Sequence, residues 1–460
     1  MSTPCDQLPE RAQDPERVTL CSHDARAQRW RPTGAPAGTV VRKYGGSSLA
    51  SLEDVRRVAQ SVEECHRTGA PTVVVVSARG DTTDELLDTV EQACPNRIAD
   101  AAREIDQLLA TGENASAALL TLVLIERGLP AVSLTGPQAG CRAAGRYRRG
   151  VIERVLPTRV QNLLDEGNIV VVAGFQAANA DGDIVTLGRG GSDTTAVALA
   201  AALGARCEIY TDVAGICSAD PRIVPDARVL PVIDAGLMAE MAFAGARVLH
   251  SRAIELAAMA EVEVRVASSY PRTDGTAIAH GSNTPAMENL GVVVAVTHDL
   301  DVARVLVRAD TTDDRVDPAS TVLSALAARC VPADLIARSG LHEQEFRMGF
   351  TIRRSDVDEV RTAVRRTLLG PGASVHIDEN VGKVSLAGMG LLNRPEHTAQ
   401  MLAALSSAGI PISWVSTSQL RASVVVSRDR TLEAVQLLHR AFGLAAHSSI
   451  PRPRPDHGQA

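Results

Sequence analysis

A glycine-rich stretch that opens a helix is the clearest chemical feature of the sequence. Residues 187–193 have the sequence LGRGGSD; they follow an apolar, strand-like run at 169–173 and precede an alanine-rich helix predicted at 194–203, which should end at Gly204. Glycines let backbone amides approach a ligand, and a helix N-terminus carries partial positive charge, so the stretch favours an anion. Arg189 adds a fixed cation, whereas Asp193 indicates contact with a metal ion or a second cation. The alternative is a simple glycine turn in which Asp193 caps the helix.

A second cluster with the chemistry of a phosphate site lies nearer the start of the chain. Lys43 lies near the end of a predicted strand at 39–44 and is followed by the turn 45–48, with the sequence GGSS. A lysine ammonium, two glycines that expose backbone amides and two hydroxyls suit a phosphate group. The chain contains no Gly-x-x-x-x-Gly-Lys-Ser/Thr sequence, so it is not a P-loop enzyme. A solvated lysine at a strand end is the alternative for Lys43.

Two further groups of polar residues have both a functional and a structural interpretation. Residues 210–215 and 219–222, with the sequences YTDVAG and ADPR, either hold a nucleotide or Mg²⁺ or form a simple turn capped by Asp220. Glu113 precedes an alanine- and leucine-rich helical segment, and it is either a site residue or an acid at a helix start.

The composition limits the classes of protein to which the chain can belong. It has 460 residues, enough for about two to four domains, with 45% apolar residues and a net charge of −7. This charge and an aromatic content of only 2% argue against a nucleic-acid-binding protein. No apolar run is long enough for a membrane span, and the start lacks the apolar core of a signal peptide. The eight cysteines are scattered without a Cys-x-x-Cys pair, which predicts reduced thiols in a cytoplasmic protein.

Strand-like runs alternate with amphipathic helical segments over the first part of the chain. This order predicts right-handed crossovers and a mainly parallel sheet with helices on both faces, a three-layer α/β/α fold. Ligands bind at the carboxyl ends of the strands in such sheets, and each polar glycine cluster follows a predicted strand. The predicted strands are 39–44, 72–76, 131–134, 169–173, 208–211 and 262–266.

The pattern changes near residue 286 to smaller α+β units. A strand–helix–strand–strand–helix order over 383–442 is typical of ferredoxin-like modules, and it occurs more faintly in the segment before it. The predicted division is a poorly ordered N-terminal extension at 1–38, a large α/β domain at 39–285, a first, divergent module at 286–376, a second module at 377–446 and a disordered tail at 447–460.

Several motifs, in order along the chain, resemble those of one known family. Residues 41–48, 73–87, 174–200, 210–224 and 238–257 resemble the aspartate kinases of the amino-acid-kinase superfamily, and residues 383–444 resemble their regulatory ACT domains. The resemblance covers residues 39–446. It implies the amino-acid-kinase fold followed by ACT modules, and ATP- and Mg²⁺-dependent phosphorylation of the side-chain carboxylate of L-aspartate. That reaction is the entry to lysine, threonine and methionine synthesis.

The resemblance also implies roles for individual residues. Lys43 would neutralise the transferring phosphoryl group, and Asp193 would organise Lys43 and the phosphates. Because a carboxylate is already ionised at neutral pH, the nucleophile needs no general base, and catalysis rests on positioning and charge neutralisation. The residues implied for aspartate are Ser47, Glu113, Arg189 and Ser192, and those for the nucleotide are Lys43, Tyr44, Gly45, Gly46, Thr211, Asp212, Asp220, Arg222 and Arg247. No side chain is assigned as a metal ligand.

The chain departs from the family pattern at several positions. Ser47 replaces the usual threonine, and Arg247 replaces the usual lysine. Residues 141–149 form an unusually basic loop, which is either functional or simply solvated. The turns at 308–315 and 417–419 differ from those that shape an ACT effector pocket, so feedback regulation is not assumed.

Three functions are consistent with these patterns. The first is an active aspartate kinase, which the retained charged residues favour. The second is a kinase of the same fold that phosphorylates a different amino or carboxylic acid, and the third is a non-catalytic ACT-type regulator that binds amino acids. The predicted partners are L-aspartate, ATP, an amino-acid effector at the ACT modules and other copies of the chain in a homo-oligomer, with no nucleic acid and no membrane.

Overall fold

The computed structural model describes most of the chain between residues 36 and 445. The described residues are 36, 38–95, 100–246, 248–271, 273–280, 293–310, 317–329, 331–339, 345–367 and 373–445. Outside them lie Arg247, the tail predicted at 447–460 and, apart from Pro36 and Gly38, the extension predicted at 1–38.

An eight-stranded sheet forms the first part of the molecule. Its strand order is β10-β12-β11-β9-β1-β2-β6-β3, and its central strands run parallel. In chain order this part contains β1 (Val40–Tyr44), α1 (Leu52–Arg67), β2 (Thr72–Val76), α2 (Thr82–Ala93), α3 (Ala102–Glu126), β3 (Ala131–Leu134), β4 (Cys141–Ala144), β5 (Val151–Val155), α4 (Thr158–Asp165), β6 (Ile169–Ala173), β7 (Gln176–Ala178), β8 (Ile184–Thr186), α5 (Gly191–Leu203), β9 (Arg206–Thr211), β10 (Val232–Asp234), α6 (Ala235–Phe243), α7 (Ser251–Ala260), β11 (Val264–Ser268) and β12 (Thr276–Ala279).

Alternate residues of the central strands face two separate apolar cores. Val73 and Val75 of β2 pack with residues of α4, α5, α6 and α7 on one face, while Val74 and Val76 pack with α1 and α3 on the other. A strand covered on both faces needs a continuous apolar run, which explains the valine-rich strands. The predicted three-layer fold with a mainly parallel sheet is confirmed.

The register of the parallel strands brings several polar loops to one edge of the sheet. β1 lies between β2 and β9, with Tyr44 beside Val76 and Tyr210. β6 lies on the other side of β2, with Ala173 beside Val76. The loops that follow β1, β2, β6 and β9 therefore meet at the carboxyl edge, where α/β sheets bind ligands.

A small sheet that the sequence analysis did not predict lies beside the glycine-rich stretch. β5, β4, β7 and β8 pair in this order, and residues 145–150 connect β4 to β5. The basic loop predicted at 141–149 is therefore partly a strand. Its interpretation as a solvated segment does not hold for Arg149, which pairs with Asp356 of the first module defined below.

The remaining elements form two four-stranded antiparallel sheets. β15, β16, β14 and β17 form the sheet of the first module, and β13, β18, β20 and β19 form that of the second. Both have the ferredoxin-like arrangement that the sequence predicted. In chain order the elements are β13 (Val293–Asp299), β14 (Val302–Asp310), α8 (Pro318–Ala327), β15 (Asp334–Ser339), β16 (Glu345–Arg353), α9 (Val357–Thr367), β17 (Ser374–Asp378), β18 (Val381–Gly388), α10 (Pro395–Ser407), β19 (Ile412–Thr417), β20 (Arg421–Ser427) and α11 (Thr431–Ala441).

The first module is inserted into the second. β13 precedes the first module in the chain but pairs antiparallel with β18, from Val293 beside Gly388 to Asp299 beside Lys383. The predicted module boundaries, 286–376 and 377–446, are corrected accordingly: β13 belongs to the second module, and β17 crosses residue 377. The physical reason is that the sheet of the second module needs a fourth strand beside β18, and β13 supplies it.

The helix α3 is long and apolar enough to cross a membrane by length and composition. Half of its most apolar window is nevertheless buried inside the molecule, where it packs against α1 and β6. Leu120 and Leu124 of this helix are fully buried. We therefore assign α3 to the core of the sheet domain.

Candidate active site

Lys43 and Asp193 form an ion pair at the edge where the parallel strands end. Lys43 Nζ lies 2.6 Å from Asp193 Oδ1, and the two side chains are only 13% and 10% exposed. α5 begins at Gly191, earlier than predicted, and the residue before it, Gly190, has a left-handed φ of 72°. The interpretation of Asp193 as the helix cap is wrong, because Gly190 occupies that position and Asp193 lies in the first helical turn.

Gly45 and Gly46 bring the backbone after β1 close to the loop after β2. A Cβ on Gly46 would lie 2.6 Å from the carbonyl oxygen of Ala78, so no larger residue fits without movement. A Cβ on Gly45 would lie 3.6 Å from Lys43 Nζ. The close approach therefore requires glycine at position 46, and it places Gly45 beside the lysine ammonium.

Ser47 of this turn and Tyr44, the last residue of β1, differ in what they can contribute. Ser47 is exposed, whereas the next residue, Ser48, is buried, with its Oγ 3.0 Å from the Oγ of Ser269. Tyr44 is buried, and its ring stacks on that of Tyr210 with 4.9 Å between the centroids. The nucleotide contact predicted for Tyr44 therefore cannot come from its side chain, and only its main chain is available.

Glu113 lies in the middle of α3 beside the loop that follows β2. Its Oε1 accepts a 3.0 Å hydrogen bond from the Ala78 N–H, and within the described residues its buried Oε2 has no hydrogen-bond partner. Burial raises the pKa of Glu113 to about 7, against the opposing effect of the Ala78 N–H. The interpretation of Glu113 as an acid at a helix start is wrong, because α3 begins at Ala102. A buried carboxylate with an unused acceptor suits a cationic ligand group.

The glycine loop, residues 187–190, presents Arg189 to solvent. Arg189 and Asp193 line the same cavity. Ser192 is 7% exposed, and a Cβ on Gly174 would lie 2.8 Å from its Oγ. The loop after β6 and the start of α5 thus pack closely around the predicted substrate residues.

Two residues that the sequence analysis did not select hold this loop. Phe175 has a positive φ of 67°, and its ring packs against Gly191, where an added Cβ would lie 2.8 Å from a ring carbon. His250 packs against Gly190, where an added Cβ would lie 2.2 Å from the His250 Cβ. His250 was part of a motif that carried the resemblance, but sequence spacing contains no information about this long-range contact.

His250 is an uncharged residue between the glycine loop and the first module. Burial, reinforced by Arg353 and Arg252, lowers the pKa of His250 to about 4, so the ring is neutral at neutral pH. The Nδ1 atom accepts a 3.4 Å hydrogen bond from the Arg252 N–H and caps α7, while Nε2 lies 3.5 Å from Arg353 Nη2.

The predicted nucleotide residues after β9 line a cavity of about 240 Å³. These residues are Thr211, Asp212, Asp220 and Arg222. Arg222 donates hydrogen bonds of 3.0 and 2.8 Å to the two oxygens of Asp220 and lowers the pKa of that carboxyl. Asp220 also caps its turn by accepting the Arg222 N–H, as the turn interpretation predicts, while its contact with a nucleotide stays a prediction. Arg247, predicted for the same site, lies outside the described residues.

The second module closes this cavity. Val296, Thr297 and His298 of β13 lie on its wall. Gly245 has a positive φ of 111°, and an added Cβ there would lie 2.0 Å from the carbonyl oxygen of His298. A strand of the second module is therefore part of the cavity that the predicted nucleotide residues line.

A second cavity, of about 390 Å³, connects the glycine loop with both modules. Its wall includes Arg189 and Asp193, Arg353 of the first module and Lys383 of the second. Gly245, Ala246 and Val248 line both cavities and separate them.

Comparison with known proteins identifies the family. The model of the amino acid kinase family matches residues 38–268, and an ACT domain model matches residues 384–442. An aspartokinase of Geobacillus stearothermophilus is 40% identical over 416 residues, which cover 90% of this chain and 100% of that protein. The chain belongs to the aspartokinase family. An aspartokinase of Mycolicibacterium smegmatis is 43% identical over 411 residues, covering 88% and 96% of the two chains.

Solved aspartokinase structures have the same fold. Escherichia coli aspartokinase III in complex with aspartate and ADP, in its R-state, matches with a TM-score of 0.74 at 25% identity, covering 88% of this chain and 99% of that one. The T-state of that protein, in complex with lysine and aspartate, matches with a TM-score of 0.64. The family predicted from the ordered motifs is confirmed, and both the kinase domain and the ACT domain contribute to the match.

Proposed function

We propose that this aspartokinase transfers the γ-phosphoryl group of ATP to the side-chain carboxylate of L-aspartate, giving 4-phospho-L-aspartate and ADP. The observation that carries the proposal is the grouping of the Lys43–Asp193 pair, the buried acid Glu113 and the exposed Arg189 around one edge of the sheet. Charges of both signs suit a substrate that carries an ammonium and two carboxylates. The aspartate and ADP bound to E. coli aspartokinase III support this choice.

The substrate amino acid is held by groups of opposite charge. Glu113 binds the α-ammonium group through its unpartnered Oε2, and this contact favours the ionised form of the acid. Arg189 binds a carboxylate through its forked N–H donors. The hydroxyls of Ser47 and Ser192 add hydrogen bonds.

Phosphoryl transfer then needs no proton movement. An oxygen of the aspartate side chain forms a bond to the γ-phosphorus while the bond from that phosphorus to the β,γ-bridging oxygen breaks. The barrier is the approach of two anions, and Lys43 lowers it by neutralising the phosphoryl oxygens, with amides from Gly45 and Gly46. Asp193 holds the Lys43 ammonium in place through their ion pair.

The nucleotide occupies the cavity lined by Thr211, Asp212, Asp220 and Arg222. Mg²⁺ is usually bound by one or two carboxylates together with substrate phosphates. In the described part of the chain no group of three or more His, Cys, Asp or Glu side chains could hold a metal ion. When bound, Mg²⁺ supplies further neutralisation of the phosphate charge.

The test is to trap the acyl phosphate. Purified protein, ATP, Mg²⁺ and hydroxylamine are incubated with L-aspartate, L-glutamate or no acid, and the hydroxamate is measured. We expect hydroxamate only with aspartate, and a loss of at least about a hundredfold in Lys43→Ala, the range for removing one group that stabilises the transition state. Thermal unfolding of the variant shows whether it is folded. Hydroxamate from glutamate but not aspartate would replace the proposal with a kinase for a different acid.

We also propose that an amino acid binds the ACT modules and that the enzyme forms a homo-oligomer in the cytoplasm. Lysine bound to the T-state of E. coli aspartokinase III supports the first part. The edge strands β15 and β19 carry the exposed apolar side chains Ile336 and Val415, which supports pairing with another copy. Light scattering tests the oligomer, and the shift in Tm with lysine, threonine or methionine tests the effector.

A further inference from the structure

One short segment of the first module contacts the catalytic domain on both sides of the glycine loop. The segment is Arg353–Asp356, at the end of β16 and before α9. Its first residue lies 3.5 Å from His250, and its last pairs with Arg149 of the connection between β4 and β5. Neither contact belongs to the aspartate or nucleotide residues assigned above.

Arg149 of the catalytic domain makes two specific contacts with the first module. Its Nη2 lies 2.7 Å from Oδ1 of Asp356, a residue that is only 4% exposed, and its Nη1 donates a 3.0 Å hydrogen bond to the carbonyl oxygen of Arg329. The guanidinium thus bonds to a buried carboxylate and to a main-chain acceptor of the first module. Such a geometry is more specific than that of an exposed pair, which contributes little.

The connection that carries Arg149 is attached to the beginning of the glycine loop. The N–H of Gly150 donates a 2.9 Å hydrogen bond to Thr186 O, and Arg252 donates hydrogen bonds of 2.8 Å to both Gly150 O and Leu187 O. An added Cβ on Gly188 would lie 3.1 Å from Arg148 O. The neighbours of Arg149 in the chain are therefore connected directly to residues 187 and 188.

The end of the glycine loop is held from the other side. His250 packs on Gly190 and reaches Arg353. Arg189 therefore lies between two supported positions, with Leu187 and Gly188 on the Arg149 side and Gly190 on the His250 side. Both supports lead to the same four-residue segment of the first module.

We propose that Arg149 and His250 are positioning residues through which the segment Arg353–Asp356 holds Arg189 in its aspartate-binding position. A displacement of the first module then weakens aspartate binding without touching the nucleotide cavity. The inference rests on the proposed role of Arg189 in aspartate binding. It also gives the basic connection between β4 and β5, unusual for the family, a function.

The experiment measures KM for aspartate, KM for ATP and kcat separately in Arg149→Gln, Asp356→Asn and their double variant. We expect each single variant to raise KM for aspartate about 5- to 30-fold, with KM for ATP within twofold and kcat within threefold. The KM for aspartate of the double variant should be no higher than that of the more impaired single variant, because both substitutions break the Arg149–Asp356 ion pair. Arg149→Lys, which keeps the charge, should show a smaller increase. Arg154→Gln, at an exposed position on β5, is the matched control and should change none of these values.

Three results would overturn the inference. One is a KM for aspartate within twofold of the original value in folded Arg149→Gln and Asp356→Asn. Another is a parallel rise of both KM values, which indicates general loss of structure. The third is additive effects in the double variant. Failure of the unmodified protein to phosphorylate aspartate would instead overturn the proposed function and this inference with it, so the two failures are distinguishable.

Discussion

At the scale of single residues, the most informative side chain is Glu113. Its carboxyl is buried, its pKa is raised to about 7, and its Oε2 has no partner among the described residues. The proposed contact with the α-ammonium group requires the ionised form. In the free enzyme the Glu113 carboxyl is therefore protonated in about half of the molecules at pH 7.

The first prediction follows from this protonation. The kcat/KM for aspartate should rise about tenfold between pH 6 and pH 7.5, because kcat/KM reports ionisations of the free enzyme. Glu113→Gln should lower kcat/KM at pH 8 and remove the pH dependence in this range. A profile that is unchanged in the variant would assign the ionisation to another group.

Ionisation of Glu113, which should raise activity, should at the same time lower the stability of the fold. An acid whose folded pKa is raised stabilises the fold least above that pKa, because ionisation is easier in the unfolded chain. The cost develops between the usual value of 4.5 and about 7, and it reaches about 3 kcal/mol. Glu113→Gln should therefore raise the Tm at pH 8 by several degrees and leave it nearly unchanged at pH 4.5. Equal shifts at both pH values would contradict this origin.

At the scale of elements, the turn from β8 into α5 depends on Gly190. It combines a left-handed φ of 72° with close packing against His250. Gly182, in the turn between β7 and β8, also has a positive φ, of 86°, but an added Cβ there meets nothing within 4 Å. Both glycines have a backbone conformation that would strain a residue with a side chain, but only at Gly190 would an added Cβ also meet a neighbouring residue.

This difference gives a matched pair of variants. Gly182→Ala should cost about 1 kcal/mol of stability and leave kcat/KM within twofold. Gly190→Ala should lower kcat/KM for aspartate by at least about a hundredfold, because the clash with His250 displaces Arg189 and the start of α5. Chemical denaturation and steady-state kinetics measure the two effects. Similar kinetics in both variants would show that strain alone, and not the His250 contact, matters.

The elements that could be predicted from the sequence are those with local patterns. β2 and β6 are continuous valine-rich runs, and their predicted bounds, 72–76 and 169–173, agree with the structure. The small sheet of β4, β5, β7 and β8 was missed because its strands are short and only partly apolar. The glycine and lysine clusters were recognisable because phosphate chemistry needs neighbouring residues. The roles of His250 and Phe175 were not, because both act through contacts distant in sequence.

At the scale of the whole molecule, a cluster of buried charges joins the catalytic domain to both modules. Asp334 of the first module pairs with Lys383 at 2.9 Å and with Arg421 at 2.8 Å, both from the second module. Arg421 also reaches Glu240 of α6 at 3.4 Å, and both cations lie over the ring of Phe243. Burial alone would raise the pKa of Asp334, but the two cations outweigh it and hold it at about 2.

Asp334→Asn should therefore destabilise the enzyme by about 3 kcal/mol, because it leaves two buried cations without their partner. The pair stabilises the fold above the unfolded pKa of about 3.9, and this stabilisation is lost as the pH falls toward 2. The difference between the two proteins should thus be largest near pH 6 and shrink below pH 4. The control is Asp358→Asn, whose exposed pair with Arg361 should change stability by less than about 1 kcal/mol. Equal effects of the two substitutions would contradict the structural role of the cluster.

The pairing of β13 with β18 also has consequences for the synthesis of the chain and for recombination of its modules between genes. Residues 300–380 are translated between β13 and its partner β18, which takes roughly 4–16 s at common rates of synthesis. During that interval β13 has no partner in its own sheet, although the catalytic domain, one of whose cavities it lines, is already complete. A recombination event between the two modules would separate β13 from β18. The modules are therefore exchangeable between genes only together, as one cassette that begins before residue 293.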